Sequence, residues 1–301
     1  MKKLGVKCVA LIVTYNRLEK LQLCLKATCE VNFEVIVVVN NASTDGSAEW
    51  LDTFAEPRLI VIHSEKNLGG AGGFKFGSDY IVNHLQVDWI CFYDDDAYPH
   101  LDLLSQFEII DKRKSNIFCS KVLLPNGNIC TMNLPYRRLP RTFYDTILYT
   151  LFPNWYLPDL SHDSYVETFS FVGTIIHQKV LKQFCEKICI DLFVYFDDLF
   201  FSYYLSNLGH KISFEPCLVF THDTLISANL FKSPKLYFLV RNLLWSRKIF
   251  SQSPPFSRSA IGLRLLRIFF YCLIKGRSRK CFLFFFKGVR DGIASKVKSI
   301  H

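Results

Sequence analysis

Asp94, Asp95 and Asp96 stand in a row at the end of the strand-like stretch Val87 to Tyr93. Three adjacent carboxylates repel one another, so the cluster costs stability unless a cation or solvent relieves it. Oxygen ligands suit Mg²⁺ or Mn²⁺, ions that commonly bridge to substrate phosphates; an acidic turn in water is the alternative. A second acidic pair, Asp197-Asp198, follows Phe193-Val194-Tyr195-Phe196 and opens a helical stretch. It either caps that helix or supplies a general base, because a carboxylate among aromatic rings loses solvation and gains basicity. His222 ends a later apolar run. A lone His is usually structural, but one joined to the Asp ligands would favour Mn²⁺ over Mg²⁺.

The run Gly69-Gly70-Ala71-Gly72-Gly73 lies between an apolar run and a helical stretch. Free amides and a helix dipole there suit an anion or a closely approaching ligand, and a tight turn is the alternative. It is not a dinucleotide fingerprint, since the third glycine would fall at Lys75, and no Walker Lys-Ser/Thr follows. Cys185-x-x-x-Cys189 lacks the matching second pair that zinc would need.

The elements that must carry these groups alternate. Residues 6–13 read as a buried strand, Asn16 to Lys26 as a helix, and Val35 to Val39 as a second strand before the cap-rich loop Asn40 to Ser47. A helix from Ala48, a strand from Leu59 to His63, the loop Asn67 to Gly73, a helix from Phe74 to His84 and the Val87–Tyr93 strand follow. Strands without polar alternation, separated by helices, predict a mostly parallel α/β sheet covered on both faces. Ligands bind such sheets at the carboxyl ends of the strands, and every polar or Gly-rich loop above sits at such an end. Residues 133–165, rich in aromatics and proline, read as an irregular excursion forming a lid or acceptor wall. Val166 to His177, with a close-approach Gly173, and Lys211 to Phe220 read as strands, and Asp197 to Asn207 as a helix.

Charge and composition narrow the class. With 301 residues, half of them hydrophobic, the chain can bury a large core, which excludes general disorder. Eleven cysteines without regular pairing predict reduced thiols and a cytoplasmic setting. The apolar run Cys8 to Val13 is too short for a spanning helix and lacks a cleavage site after it, and no other segment is long enough to span. Residues 232–301 carry 16 Lys and Arg against the single Asp291, a net +15, while the first 231 residues hold 20 against 26 and stand at −6. Basic and aromatic side chains interleave in this tail, which suits a helix lying on an anionic membrane surface; a C-terminal helix packed on the domain with a basic solvated face is the alternative. No recognition motif accompanies the charge, so nucleic acid is not expected.

Together the motifs resemble a family 2 glycosyltransferase of the GT-A type. Leu11 to Arg17, Val39 to Ser47, Asn67 to Phe74 and Asp94-Asp95-Asp96-Ala97 carry the match over about residues 5–245. The pairing of N-x-G-G-A-G-G-F with D-D-D-A resembles the galactofuranosyltransferase and rhamnosyltransferase branch. Phe196-Asp197-Asp198 resembles that branch's W-D-D acceptor motif, Thr221-His222 its strand-end metal His, and Tyr237 to Asn242 its Y-x-x-x-R-N helix. The resemblance implies a glycosyltransferase domain over 1–245, with a nucleotide-sugar half (1–100) and an acceptor half (101–245), before a basic helical tail (246–301). It implies that Thr14, Arg17 and Asn40 line the nucleotide pocket and that Asn67 with the Gly69–Gly70 backbone sits over the donor sugar. Asp94, Asp96 and His222 would hold Mn²⁺ (or Mg²⁺), with Asp95 toward the ribose, and Asp198 would be the base with Asp197 beside it. Asn40 departs from the family's usual Asp. The implied donor is UDP-galactofuranose first and dTDP-rhamnose second, with UDP-galactopyranose and UDP-glucose open. The implied acceptor is a polyprenyl-diphosphate-linked glycan at the inner face of the cell membrane, in polysaccharide synthesis such as O-antigen or capsule. A catalytically silent sugar-nucleotide or glycan-binding module is the reading from another class, and loss of Asp198 or the acidic triplet would have favoured it.

Overall fold

A computed structural model describes residues 6–224, 233–276 and 278–299. Its core is a sheet built on β1 (Cys8–Thr14), flanked by β2 (Val35–Asn40) and β4 (Trp89–Asp94), with β3 (Leu59–His63) outside β2. These four strands are parallel, and Leu11 pairs with Val37 on one side and Phe92 on the other. The sheet continues from β4 through β8 (Thr174–His177), β6 (Ile117–Leu123) and β9 (Ile212–His222) to β5 (Ala97–Pro99), while β7 (Ser164–Val166) pairs with β9. β8 is antiparallel to both neighbours; β6 and β9 are parallel.

Every residue of β1 is buried, because both faces of the sheet are covered. On one face Cys8, Ala10 and Ile12 pack with Leu21 and Leu25 of α1 (Leu18–Glu30), Leu51 of α2 (Ser47–Thr53) and Phe107 of α4 (Leu103–Ile109). On the other, Val9, Leu11 and Val13 meet Phe74 and Ile81 of α3 (Gly69–His84), Leu181 of α6 (Gln178–Phe184) and Phe201 of α7 (Asp197–Asn207). The parallel α/β architecture expected from the apolar runs is the one found. Cys8 to Val13 are the middle of a sheet, and none of the described helices is long and apolar enough to cross a membrane.

Three local expectations change. The Gly-rich segment is not a loop before a helix at Phe74: α3 already begins at Gly69. Glycines there lower helix propensity, but they let the helix lie against the sheet, since a Cβ on Gly77 would come within 2.3 Å of Leu11 Cδ1 and 2.9 Å of Val39 Cγ2. The single strand expected over Val166 to His177 is two, β7 and β8, separated by a bend. Gly173 lies in that bend at φ +79, its N–H donating to the Phe92 carbonyl (2.8 Å) and its own carbonyl accepting from Ser120 Oγ (2.6 Å). The 133–165 excursion contains a helix, α5 (Phe143–Leu151), started by a capping box between Thr142 and Asp145.

Among the described residues, three α-helices follow β9. α8 (Lys235–Ile249) runs through residue 245, so the expected boundary there falls inside one helix. Its Leu243, Trp245 and Ile249 pack with Phe200 and Tyr203 of α7 and with Ile261 of α9 (Arg258–Tyr271). Its Leu236 and Val240 pack with Cys281 and Phe285 of α10 (Arg279–Ala294), and Lys248 Nζ donates to the Ile293 and Ser295 carbonyls at 2.7 Å.

Gly77→Val places two methyl groups where Leu11 and Val39 already touch the helix. Overpacking there should cost about 3 kcal/mol, outweighing the ~1 kcal/mol that leaving glycine gains in a helix. A urea midpoint equal to or above that of the parent chain would contradict the close packing of α3 on β1 and β2.

Candidate active site

The β1–β4 pairing sets Val13 opposite Asp94 and brings the Thr14–Arg17 loop over the acidic triplet. Asp95 is buried and turned into that loop: its Oδ2 accepts from Thr14 Oγ1 (2.7 Å) and the Tyr15 N–H (3.3 Å), and Arg17 Nη1 lies 3.2 Å from its Oδ1. The same Arg17 nitrogen is 2.5 Å from Asp96 Oδ2. The antiparallel β5–β9 register pairs Ala97 with His222, which delivers the imidazole to Asp96, Nε2 to Oδ1 at 3.1 Å. One ligand atom from each of Asp94, Asp96 and His222 lies within 4.8 Å of the others.

Burial and mutual repulsion set the electrostatics of this cluster. Burial and the charge of Asp96 push Asp94 up to about 7, although His222 and Arg17 oppose the rise. Burial likewise raises Asp95 to about 6 against Arg17. Burial works to raise Asp96 too, but the His222 hydrogen bond and Arg17 outweigh it and hold this carboxyl below its ordinary value. Burial disfavours the charged imidazole of His222, yet its contacts with Asp96 and Cys130 and the nearby Asp94 charge push it up to about 10. Two carboxylates and one imidazole are a donor set that fits a divalent cation. His222 Nδ1 is 2.8 Å from Asn133 Oδ1, which fixes the ring and directs Nε2 toward the carboxylates.

Asp197 and Asp198 face this cluster from the start of α7. The backbone before them is strained: Phe193, Tyr195 and Phe196 all have φ between 65 and 68. Such conformations cost ~1–3 kcal/mol each unless the surroundings fix them. Here α8 does so from its Arg241-Asn242 pair, the end of the Y-x-x-x-R-N motif. Asn242 Nδ2 lies within 3.0 Å of the carbonyls of Leu192, Val194 and Tyr195, and Arg241 Nη2 donates to those of Asp191 (2.6 Å) and Leu192 (3.1 Å). Gly69, at φ +70, packs under the Phe193 carbonyl where a Cβ would clash at 2.1 Å, and the Ala71 N–H donates to that carbonyl at 3.2 Å. Asp198 Oδ1 accepts from the Leu199 N–H at 2.7 Å, and Ser170 and the Phe171 N–H also donate to this carboxylate. Burial raises both carboxyls above the ordinary range, and in Asp197 the charge of Asp198 adds to it.

One cleft of about 430 Å³ joins the two acidic groups. Arg17, Asp94, Asp96 and His222 line it together with Asp197 and Asp198, and Gly70, Phe74, Tyr136 and Tyr149 form part of its wall. Thr14, Asn40, Asn67, Gly69 and Asp95 do not line it. Asn40 sits at the end of β2, with Nδ2 2.9 Å from His63 Nδ1 and Oδ1 accepting from the Ser43 N–H (3.1 Å). Asn67 Oδ1 accepts from the Gly69 N–H (2.8 Å) and from Asn41 Nδ2 (3.2 Å).

Three organising residues were absent from the expected set. Asn41 clamps the start of α3 by accepting from the Leu68 N–H (2.8 Å) and donating to the Gly69 carbonyl (2.9 Å). Asn133 and Ser170 bridge the two sides of the cleft, since Asn133 Nδ2 donates to Ser170 Oγ at 2.8 Å. A polar chain thus runs from His222 through Asn133 and Ser170 to Asp198. Nothing in the spacing of residues 133 and 170 marks them; only the fold makes them neighbours.

A family model, "Glycosyl transferase family 2", matches residues 9–169, more than half of the chain, including β2 to β4 and the acidic triplet. The chain belongs to this family. A 79-residue stretch is 37% identical to an undecaprenyl-phosphate mannosyltransferase of Micrococcus luteus; it covers 24% of this glycosyltransferase and 32% of that protein, so the match spans about a third of the relative's length. S. aureus TarS 1–349 superposes with a TM-score of 0.56 at 18% identity, over 96% of this chain and 80% of that one, and was also solved in complex with UDP-GlcNAc. GalNAc-T7 with UDP, GalNAc and Mn²⁺ superposes at 0.57 and 13% identity, over 96% and 58%. These likenesses establish the GT-A fold of this family 2 glycosyltransferase.

Asn242→Leu removes the donor that serves three loop carbonyls. The Leu192 carbonyl keeps Arg241, so the carbonyls of Val194 and Tyr195 lose their donor, which should cost ~2–6 kcal/mol at about 1–3 kcal/mol per group. Amide exchange should quicken at residues 192–198, within the loop that presents Asp197 and Asp198. Unchanged exchange there would show that the loop holds its shape without α8.

Proposed function

We propose that this chain is an inverting glycosyltransferase that moves a sugar from a nucleoside-diphosphate donor to an acceptor hydroxyl. The observation that carries the reading is the cleft itself: a cation-suited set, Asp94, Asp96 and His222, faces a desolvated carboxylate, Asp198, across one cavity. Asp198 takes the proton from the acceptor hydroxyl. That oxygen attacks the anomeric carbon from the face opposite the diphosphate, and the bond to the diphosphate breaks with its electron pair leaving on the phosphate oxygen. A divalent cation at Asp94, Asp96 and His222, Mn²⁺ in preference to Mg²⁺, would supply neutralising charge to the departing diphosphate. Arg17, half-exposed beside Asp96, adds a further positive charge at that end. Asp197 lies next to Gly70 and would hold acceptor hydroxyls beside the base. A single carboxylate at the reacting centre suffices here, in contrast to the carboxylate pair of most glycoside hydrolases.

Thr14, Arg17, Asn40, Asn67 and Asp95, with the Gly69–Gly70 backbone, form the proposed donor site. Asn40, at the end of β2, contacts His63 and Ser43 through its amide and would meet the base of the donor. UDP-galactofuranose is the first choice of donor, supported by the motif branch, and dTDP-rhamnose the second. UDP in two fold neighbours supports the base, and Mn²⁺ in one supports the cation. The undecaprenyl-phosphate relative supports a polyprenyl-linked acceptor, and the +15 tail supports work at the anionic inner face of a membrane in polysaccharide synthesis.

Asp198→Asn should lower kcat by ~10²–10⁴-fold, the usual contribution of a general base, while the Kd for donor stays within about twofold. Normal turnover in that variant would remove Asp198 from the chemistry. Because the carboxyl must be ionised to act and its pKa is raised, the rate should rise with pH along an acid limb that lies above the ~4 of an ordinary carboxylate; a flat profile down to that value would contradict the base assignment. Thermal-shift screening of UDP- and dTDP-sugars with and without Mn²⁺ tests the donor, since binding to the native state raises its melting point. In Asp96→Ala the Mn²⁺-dependent part of the shift should vanish, and its persistence would place the cation elsewhere.

A further inference from the structure

The helical tail does not lie free as an amphipathic anchor. Ile261, Leu265 and Ile268 of α9 and Phe285 of α10 are spent on packing against α8 and its neighbours. What remains outward is a narrower set: Phe270, Ile274, Leu283 and Phe286 are 51–60% exposed. A second outward apolar set lies elsewhere in the sequence, at the end of α5. Leu151, Phe152 and Trp155 are 47–62% exposed, with the Phe152 and Trp155 rings stacked at 4.8 Å, and Tyr144 is 76% exposed.

The two sets adjoin. α5 packs beside α9, and Arg267 Nη1 donates to Thr150 Oγ1 at 2.9 Å. Thr150 precedes Leu151, and Arg267 is one turn from Phe270. Phe269 then links α9 to α10 through Phe286 (6.3 Å between ring centres). Exposed Lys275, Arg279 and Lys280 lie between the α9 and α10 parts of the patch, and the single acidic residue of the tail, Asp291, is engaged by Arg290 and Tyr237. Apolar side chains flanked by cations that make no ion pair among the described residues complement an anionic lipid surface rather than a neutral protein face.

α5 also reaches the cleft. At ~100° per residue, Tyr144, Ile147 and Leu151 fall on the side of the helix opposite Tyr149, and Tyr149 lines the cavity that holds Asp94, Asp96 and Asp198. One helix therefore faces the apolar patch with one side and the cleft with the other.

We propose that α5, its Phe152–Trp155 turn, α9 and α10 together form one docking surface for an anionic bilayer, with the Phe152–Trp155 turn entering the interface. This places the cleft beside the membrane, so that a lipid-carried acceptor approaches along α5; that part rests on the proposed lipid-linked acceptor.

The test is co-sedimentation of the full chain with phosphatidylglycerol–phosphatidylcholine vesicles, without donor or acceptor, together with quenching of tryptophan emission by brominated lipid. The parent chain should bind anionic vesicles and be quenched, and Trp155→Phe should bind while losing most of that quenching. The double variant Phe152→Ser/Trp155→Ser should bind about tenfold more weakly, with an unchanged unfolding midpoint and unchanged donor-induced thermal shift. Phe270→Ser/Phe286→Ser should weaken binding comparably. Vesicle binding unaltered by Phe152→Ser/Trp155→Ser, or tryptophan emission indifferent to brominated lipid, would overturn the composite surface. So would a dimer in sedimentation that these substitutions dissociate, because the patch would then belong to a second copy of the chain. Donor-induced stabilisation is read without lipid, so failure of the transferase reading shows there and leaves the vesicle result standing.

Discussion

Three carboxylates at the end of a buried strand are the constraint around which this molecule is arranged. Bringing Asp94, Asp95 and Asp96 together out of water is unfavourable in proportion to how well they are enclosed. Each is met differently. Asp95 is tied down by Thr14, the Tyr15 N–H and Arg17; Asp96 is shared between Arg17 and His222; Asp94, with no hydrogen bond from Arg17 or His222, has the highest pKa of the three, raised to about 7. The partners come from β1, the loop after it and the far end of β9, so the acidic turn forms as it does only when the sheet is complete from β1 to β5.

The opposite wall meets a different difficulty, backbone strain. A loop with three non-glycine residues at positive φ does not persist unaided. Its carbonyls are collected by Arg241 and Asn242, and Gly69 fits beneath Phe193. α8 thereby couples the Asp197–Asp198 loop to the helices that follow, since the helix that pins the loop also supplies the surface on which α9 and α10 pack. The tail is part of the support of the cleft as well as a carrier of charge.

How much of this can be read without coordinates depends on how local the cause is. The parallel strands were legible because two-sided burial leaves unbroken apolar runs such as VIVVV, and the strand-end loops follow from that order. The first five residues of α3 are hidden from any local rule, because glycine signals a loop, whereas here it permits contact with Leu11 and Val39, residues 66 and 38 positions away in the chain. α5 is masked in the sequence by its aromatic and proline-rich surroundings, although Thr142 and Asp145 spell its capping box. Asp96 and His222 were nameable as types suited to one site, but Asn133 and Ser170, which join His222 to Asp198, have no signature in type or spacing.

A second cluster shows why carboxylates in proximity do not by themselves make a cation site. Asp79, Cys185 and Glu186 also offer ligand atoms within 4.8 Å of one another. Yet Lys75 Nζ sits among them, 2.6 Å from Asp79 and 2.7 Å from Glu186, on a side chain only 13% exposed. Its ammonium is held by packing as well as by charge, so the negative charge is answered from within the protein. Arg17 answers Asp95 and Asp96 from a side chain 42% exposed, at the mouth of the cleft. The two clusters therefore differ in how firmly the protein's own cation is packed: Lys75 is enclosed, whereas Arg17 is partly exposed.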